Sequence, residues 1–137
     1  MSDLSPRLDP EHLAVVRYPA GWASPPVPTG HFVAVVSGEH EVTVVCPESL
    51  AEDEAWSRAA EQVDIGWQRV TFPGPLPWEQ VGFLADVAAR LADAQIPFTS
   101  MSGFTTDHVL IRAAQADLAV DVLSGGEPPP QRPGTNP

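Results

Sequence analysis

The chain has 137 residues, with eighteen Asp and Glu against seven Lys and Arg, and its formal net charge is −11. All seven cations are arginines. This shortage of cations argues against binding to nucleic acid and to anionic membrane surfaces, since both depend on clustered Lys and Arg. Because 43% of the residues are hydrophobic, the chain can bury a core. It is expected to form one compact domain or two small fused modules.

The single cysteine, Cys46, follows an apolar run and cannot form an internal disulfide. This favours a reducing, cytoplasmic location, with Cys46 either a small buried hydrophobe or, less favoured, a reactive thiol. The segment Met1–Pro10 lacks the apolar stretch of a signal peptide. No apolar run approaches the roughly 20 residues of a membrane span, so membrane insertion is not predicted.

In the first half of the chain, short apolar runs alternate with turn residues. His12–Tyr18 is predicted to be a strand, and the proline-rich connection Pro19–His31 is expected to be pinned to the core by Trp22. The runs Phe32–Val36 and Glu41–Cys46 flank a Ser-Gly turn and predict a hairpin.

Ser49–Val63 is predicted to be a helix, because Ser49 and Glu52 have the spacing of a capping box. Its apolar residues recur at helical spacing. Gly66 is expected to separate this helix from a strand, Trp67–Phe72.

The second half begins with a rigid proline-rich break at 73–77. Trp78–Ala94 has the clearest helical periodicity in the chain. Ile96–Met101 and Asp107–Ile111 predict a second hairpin. A last helix, Ala113–Leu123, is expected to end at Gly125-Gly126, and the proline-rich tail Glu127–Pro137 is expected to be extended or disordered.

A shift of about 65 residues places Ser37-Gly38 on Ser102-Gly103. Each copy then has the order strand, Ser-Gly turn, strand, helix, which indicates two β-α-β-β-α modules. The predicted modules are residues 1–72 and 73–126, followed by the tail, 127–137. Because small two-layer modules leave a sheet edge or face uncovered, a homodimer is also predicted.

The sequence contains no phosphate-binding loop, dinucleotide fingerprint, metalloprotease motif or C-x-x-C pair. The four histidines are scattered along the chain and do not have metal-ligand spacing. We therefore predict no metal and no cofactor, and these motifs leave catalysis unsupported rather than excluded.

Five stretches of the chain carry a family resemblance: Glu41–Glu48, Gly66–Val70, Gly74–Leu76, Gly82–Leu84 and Phe104–Ile111. In this order, they resemble the CASTOR-type ACT domain family. That family includes short bacterial tandem proteins and eukaryotic arginine sensors, and the resemblance covers about residues 10–124. It implies a ferredoxin-like α+β fold (ACT-like, βαββαβ, in tandem duplication with antiparallel sheets and helices on one face), binding of an amino acid or another small ligand, and no catalysis.

The resemblance also implies where a ligand would lie, beside a helix start and a hairpin of one module. The corresponding helix-start positions are Gln80 and Gly82, and the hairpin positions are Gly103, Phe104 and Asp107. Gln80 stands where the arginine-sensing members carry a carboxylate, and Gly103 replaces a hydroxyl residue.

Each candidate has a functional and a structural interpretation. Gly82 could admit a ligand whose carboxylate meets the helix amides, or it could serve helix–strand packing. Asp107 could accept a bond from a ligand ammonium or cap a turn. Phe104 could cover an apolar ligand stem or lie in the core, and Thr105 with Thr106 could bind the ligand or stabilise the turn.

Two functions follow. The first is a cytoplasmic regulatory module that senses an amino acid. The second is a structural or interaction module without a ligand, which assembles through its sheet edges.

Overall fold

The chain forms two compact units, and the second is discontinuous in sequence. A computed structural model describes residues 2–73 and 82–126. The first unit is Pro10–Gln68, and the second combines Met1–Asp9 with Arg69–Pro137. The boundary between Gln68 and Arg69 falls inside a strand.

The described elements are short strands and four α-helices. In chain order they are β1 (Arg7–Leu8), β2 (Leu13–Pro19), β3 (Ala34–Ser37), β4 (Glu41–Pro47), α1 (Glu48–Glu52), α2 (Glu54–Ser57), β5 (Gln62–Thr71), α3 (Phe83–Asp93), β6 (Phe98–Ser102), β7 (Asp107–Arg112), a 3-10 turn (Ala113–Gln115) and α4 (Ala116–Leu123). Among the described residues, α3 is the longest helix, and none has the length and apolar character needed to cross a membrane.

In the first unit, β3, β4, β2 and β5 lie side by side in that order, and each neighbouring pair is antiparallel. Alternate residues of β2 and β4 point to one face and form the core with α1 and α2. The core residues are Ala14, Val16, Tyr18, Val42, Val44, Cys46, Ala51 and Trp56.

Aromatic residues fasten the proline-rich connection to this core. The Trp22 ring stacks on Tyr18, with centroids 3.6 Å apart, and meets Trp56 edge-on at 5.8 Å. The buried Tyr18 hydroxyl donates to the Trp56 carbonyl oxygen. The expectation that Trp22 is an anchor is confirmed, and so is the burial of Cys46.

The predicted helix Ser49–Val63 is wrong in its length. Helical structure begins at Glu48 and is finished by Ser57, and β5 already begins at Gln62. The capping box is wrong as well, because Ser49 lies within the first turn and the cap residue, Pro47, makes no side-chain bond.

The chain around Gly66 is a strand rather than a helix–strand boundary. Gly66 has φ +86° and lies inside β5, near a shift in the β2–β5 register. Its N–H donates to Glu48 Oε2 at 2.7 Å. A bulge in a long strand explains this glycine, since the left-handed conformation suits glycine and bends the strand.

In the second unit, the strand order is β5-β7-β6, and β1 also pairs with β5. Helices α3 and α4 pack over the strands. The core residues are Val70, Phe72, Val87, Leu91, Ile96, Val109, Ile111, Ala119, Val122 and Leu123. Gly125, at φ +98°, and the bond from Gly126 N–H to the Asp121 oxygen (2.9 Å) end α4 as predicted.

A buried arginine holds the N-terminal segment onto this unit. Arg90 is 4% exposed, and its Nη1 donates to the Ser2 carbonyl at 2.6 Å and to the Leu123 carbonyl at 3.4 Å. Asp86, one helical turn earlier, accepts from Arg90 Nε at 2.9 Å. The Leu4 N–H also donates to the Leu123 oxygen at 3.0 Å. The segment is thus a fixed part of the second unit.

The predicted fold class is confirmed: the chain is α+β, with antiparallel strands and helices in an ACT-like, ferredoxin-type arrangement. Both predicted hairpins form. Strand β1 was not predicted. The predicted helix Trp78–Ala94 corresponds to α3 from Phe83, while residues 74–81 and the tail, 127–137, lie outside the described residues. The module boundaries 1–72 and 73–126 stay a prediction.

Candidate functional site

The turn between β6 and β7 brings four of the predicted site residues together: Gly103, Phe104, Thr105 and Asp107. Gly103 N–H donates to the Thr106 carbonyl at 2.8 Å, which closes the turn. A Cβ on Gly103 would lie 2.6 Å from Thr106 Oγ1, so a larger residue here would displace the Thr106 hydroxyl.

Asp107 is partly buried at the end of this turn. Its Oδ1 accepts a bond from the Ser102 hydroxyl at 2.5 Å. The structure therefore supports the turn-capping interpretation directly. A carboxylate has about four acceptor positions, so this bond also leaves Asp107 able to accept from a ligand.

Phe104 projects from the turn and is 83% exposed, which excludes the alternative that it packs in the core. An exposed aromatic ring beside a carboxylate offers an apolar face and an acceptor to the same ligand. Thr105 is exposed as well. Phe104 and Thr105 of the turn are therefore accessible to a ligand from the solvent.

A polar chain supports the turn from the neighbouring strands. Arg69 Nη2 donates to Asp9 Oδ2 at 3.0 Å, and Arg69 Nη1 lies 3.3 Å from His108 Nδ1. The other ring nitrogen, Nε2, lies 3.0 Å from Thr106 Oγ1. Because a guanidinium can only donate, His108 Nδ1 must accept, which assigns the ring as neutral with its proton on Nε2.

The environment of His108 favours this neutral form. Partial burial and the nearby Arg69 charge lower the pKa of His108 below its ordinary 6.5, and Asp107 opposes this shift. Sequence reasoning did not select Arg69 or His108 as site residues. They are 39 positions apart in the sequence, and no local sequence pattern indicates that they are in contact.

Gly82 lies on another element, at the N-cap of α3. Its φ is +92°, and no described atom lies within 4 Å of where a Cβ would be. Glycine is therefore required here by backbone conformation and not by close packing. The next residue, Phe83, packs edge-on against Phe72 at 5.1 Å and fixes the helix start. Gln80 lies outside the described residues.

Two surface hollows lie in the first unit. One, of about 210 Å³, is lined by Pro28, His31, Pro47, Ser49, Leu50 and Asp53. The other, of about 230 Å³, lies on the sheet and is lined by Val15, Val16, Arg17, Glu41, Thr43, Gln62 and Asp64. Within residues 2–73 and 82–126, no cluster of His, Cys, Asp or Glu could hold a metal ion.

Part of the chain matches one protein family, and the chain is similar to several solved structures. The ACT domain family model matches residues 62–125, which include α3 and the β6–β7 turn. No curated protein matches the sequence.

Among solved structures, the chain is similar to the protein Atu0741 from Agobacterium tumefaciens, with 25% identity, a TM-score of 0.71 and 85% of each chain covered. It is also similar to the protein of unknown function VC0802 from Vibrio cholerae, with 18% identity, a TM-score of 0.67, and coverage of 94% of this chain and 92% of that one.

The regulatory subunit of aspartate kinase from Thermus thermophilus, in its ligand-free form, is a further structural neighbour. It has 15% identity, a TM-score of 0.66, and coverage of 88% of this chain and 95% of that one. These likenesses support the ACT-type fold.

Proposed function

We propose that this protein is a non-catalytic regulatory module that binds an amino acid at the β6–β7 turn and the start of α3. The observation that carries the proposal is the match of residues 62–125 to the ACT domain model, since that stretch contains the outward-facing turn. Structures of aspartate kinase regulatory regions share the fold, and this supports a regulatory role over a catalytic one.

The groups of the turn suit the parts of an amino acid. The Asp107 carboxylate would accept from the ligand ammonium while keeping its bond from Ser102. Phe104 would cover an apolar ligand stem. The ligand carboxylate would meet the amides at the α3 start, where the helix dipole favours negative charge and where the sequence places Gln80 and Gly82.

Regulation requires that the ligand bind one state of the protein better than another. We propose a homodimer in the cytoplasm as the form that responds, without nucleic acid or membrane as partner. The tandem arrangement of modules 1–72 and 73–126, and the relation to CASTOR-type ACT proteins, belong to the same proposal. The repeated hairpins β3–β4 and β6–β7 support the tandem arrangement.

A thermal-shift screen of the standard amino acids at millimolar concentration tests the ligand. At least one amino acid should raise the melting temperature, and Asp107→Ala should abolish that rise. Asp93→Ala, which removes an exposed carboxylate at the end of α3, is the matched control and should keep it. The proposal fails if no amino acid raises the melting temperature of the unmodified protein.

The second candidate is an interaction module that binds no ligand. It is favoured by β3, which ends the strand order of the first unit and exposes Val35 (43%) and Val36 (62%). An edge strand with exposed apolar side chains can pair with another chain. Sedimentation velocity showing an oligomer that is insensitive to amino acids and dissociates on Val36→Lys would support this alternative.

A further inference from the structure

The outer face of the first unit's sheet carries a hollow of about 230 Å³ that the proposed function does not use. Ala14, Val16 and Tyr18 point into the core, so the alternate residues of β2, Val15 and Arg17, point to the other face. Polar residues surround them from β4 and β5. A small molecule of several heavy atoms would fit this volume.

The strand register fixes how these side chains are arranged. Arg17 lies directly between Thr43 on β4 and Gln62 on β5. Val15, two residues away on β2, lies opposite Asp64 on β5. Arg17 and Asp64 are diagonal neighbours, whose backbone positions in a sheet are about 7–8 Å apart, and Val15 adjoins both of them.

Glu41 completes the ring of charges. Glu41 lies opposite Pro19 on β2, which makes it a diagonal neighbour of Arg17. It lies on the side of Arg17 away from Asp64. The hollow therefore has one guanidinium between two carboxylates. A simple anion would meet repulsion from both flanks, and a simple amine would meet repulsion from the centre.

Arg17 is well placed to meet a ligand. Its ion pair with Glu61 is long, at 3.8 Å, and the two side chains are 48% and 50% exposed. Such a pair contributes little and exchanges readily with a better partner. A ligand carboxylate can engage two N–H groups of the guanidinium at once, which is the stronger interaction.

We propose that this hollow binds a small zwitterion whose carboxylate and ammonium are separated by several methylene groups. The carboxylate pairs with Arg17, the methylene groups lie over Val15, and the ammonium pairs with Asp64. Thr43 and Gln62 supply a hydroxyl and an amide to the carboxylate end. The spacing of the charges selects an ω-amino carboxylate over an α-amino acid, whose charged groups lie closer together.

This inference goes beyond the proposed function. Arg17 and Asp64 belong to the first unit, whereas Gly103 and Asp107 belong to the second. Amide chemical shifts recorded during a ligand titration distinguish the two. Changes confined to β2, β4 and β5 report the sheet hollow, and changes in the β6–β7 turn report the site of the proposed function.

The test is a titration of the full chain with 4-aminobutyrate, followed by amide NMR and calorimetry. We expect saturable shifts at Arg17, Thr43 and Gln62. Butyrate, which lacks the ammonium, and butylamine, which lacks the carboxylate, should each bind at least about tenfold more weakly, since each loses one charge pair. Glycine should also bind more weakly, because its charges are too close.

Two variants and a control decide the outcome. Arg17→Gln and Asp64→Asn should each weaken 4-aminobutyrate binding about tenfold or more. Arg58→Gln removes an equally charged but remote side chain, whose ion pair with Glu54 is 74% and 85% exposed, and should leave binding unchanged. Equal binding by all variants, no saturable shift at the hollow, or an Arg17→Gln effect on sedimentation alone would overturn the proposal.

Discussion

Replacing the buried Arg90 with methionine should destabilise the second unit and release the N-terminal segment. Methionine keeps most of the apolar stem, so the change mainly removes the guanidinium bonds to Ser2, Leu123 and Asp86. Asp86 is 43% exposed and regains water, so the loss of its ion pair adds little to the change in unfolding free energy. Ser2 is exposed, so its carbonyl regains water, whereas the Leu123 carbonyl is buried. Losing a charged donor at a buried carbonyl costs about 1.5–3 kcal/mol.

Since the Leu123 bond is long, at 3.4 Å, and this carbonyl also accepts from Leu4 N–H, we expect Arg90→Met to lower the free energy of unfolding by about 2 kcal/mol in total. In a chain of this size that corresponds to a fall in melting temperature of roughly 7 °C. Urea titration followed by tryptophan fluorescence and by far-UV circular dichroism measures the change.

Amide hydrogen exchange adds a readout specific to the mechanism. The Leu4 N–H donates to the Leu123 oxygen, so its exchange should accelerate more in Arg90→Met than the exchange of core strand amides. Arg58→Met, in an exposed ion pair, should cost less than about 0.5 kcal/mol. A loss below about 1 kcal/mol for Arg90→Met, or an unchanged Leu4 exchange rate, would refute the reasoning.

Three further outcomes follow from buried groups. The folded-state pKa of His108 lies below its ordinary 6.5, so its contribution to stability is complete above pH 6.5 and is lost as pH falls through the lowered value. His108→Gln, which can still accept from Arg69, should flatten this part of the curve of unfolding free energy against pH. Tyr18→Phe should cost about 1 kcal/mol in urea unfolding, because the Trp56 carbonyl loses its buried donor. Burial raises the pKa of Cys46 to about 11, so a thiol reagent at pH 8 should label it only after unfolding.

Each of these outcomes can be contradicted. If the stability–pH curve of His108→Gln has the same slope as that of the unmodified protein, other titrating groups cause the loss of stability in acid. Tyr18→Phe without loss would mean that water replaces the hydroxyl at the Trp56 carbonyl. Rapid labelling of Cys46 in native conditions would contradict its burial and indicate local opening of β4.

The sequence predicts the hairpins well because their signals are local. A Ser-Gly turn between β-branched runs specifies β3–β4, and the short connection before the apolar run Val109–Ile111 specifies the pairing of β6 with β7. The predicted helix Ser49–Val63 was wrong because Ala59, Ala60 and Val63 fit helical spacing as well as a turn entering a strand. A conformation fixed by cross-strand pairing overrides that spacing.

The candidate site was predictable only in part. The turn residues Gly103 to Asp107 are contiguous in sequence, so a prediction that identifies one of them also locates the others. The support from Asp9 and Arg69 comes from distant parts of the chain, and composition gives no sign of it. Exposure of Phe104 is likewise a property of the folded turn, since an aromatic residue in sequence favours burial.

The discontinuous second unit has a consequence for how the chain is synthesised. Ser2 and Leu4 are synthesised before the first unit, yet their partners, Arg90 and Leu123, are synthesised after it. The stretch from Pro10 to Gln68 can fold meanwhile, because its own strands and helices are all present by then. The part of the segment that holds Ser2 and Leu4 therefore lacks these partners, and is open to chaperones and proteases, until α3 and α4 have been synthesised.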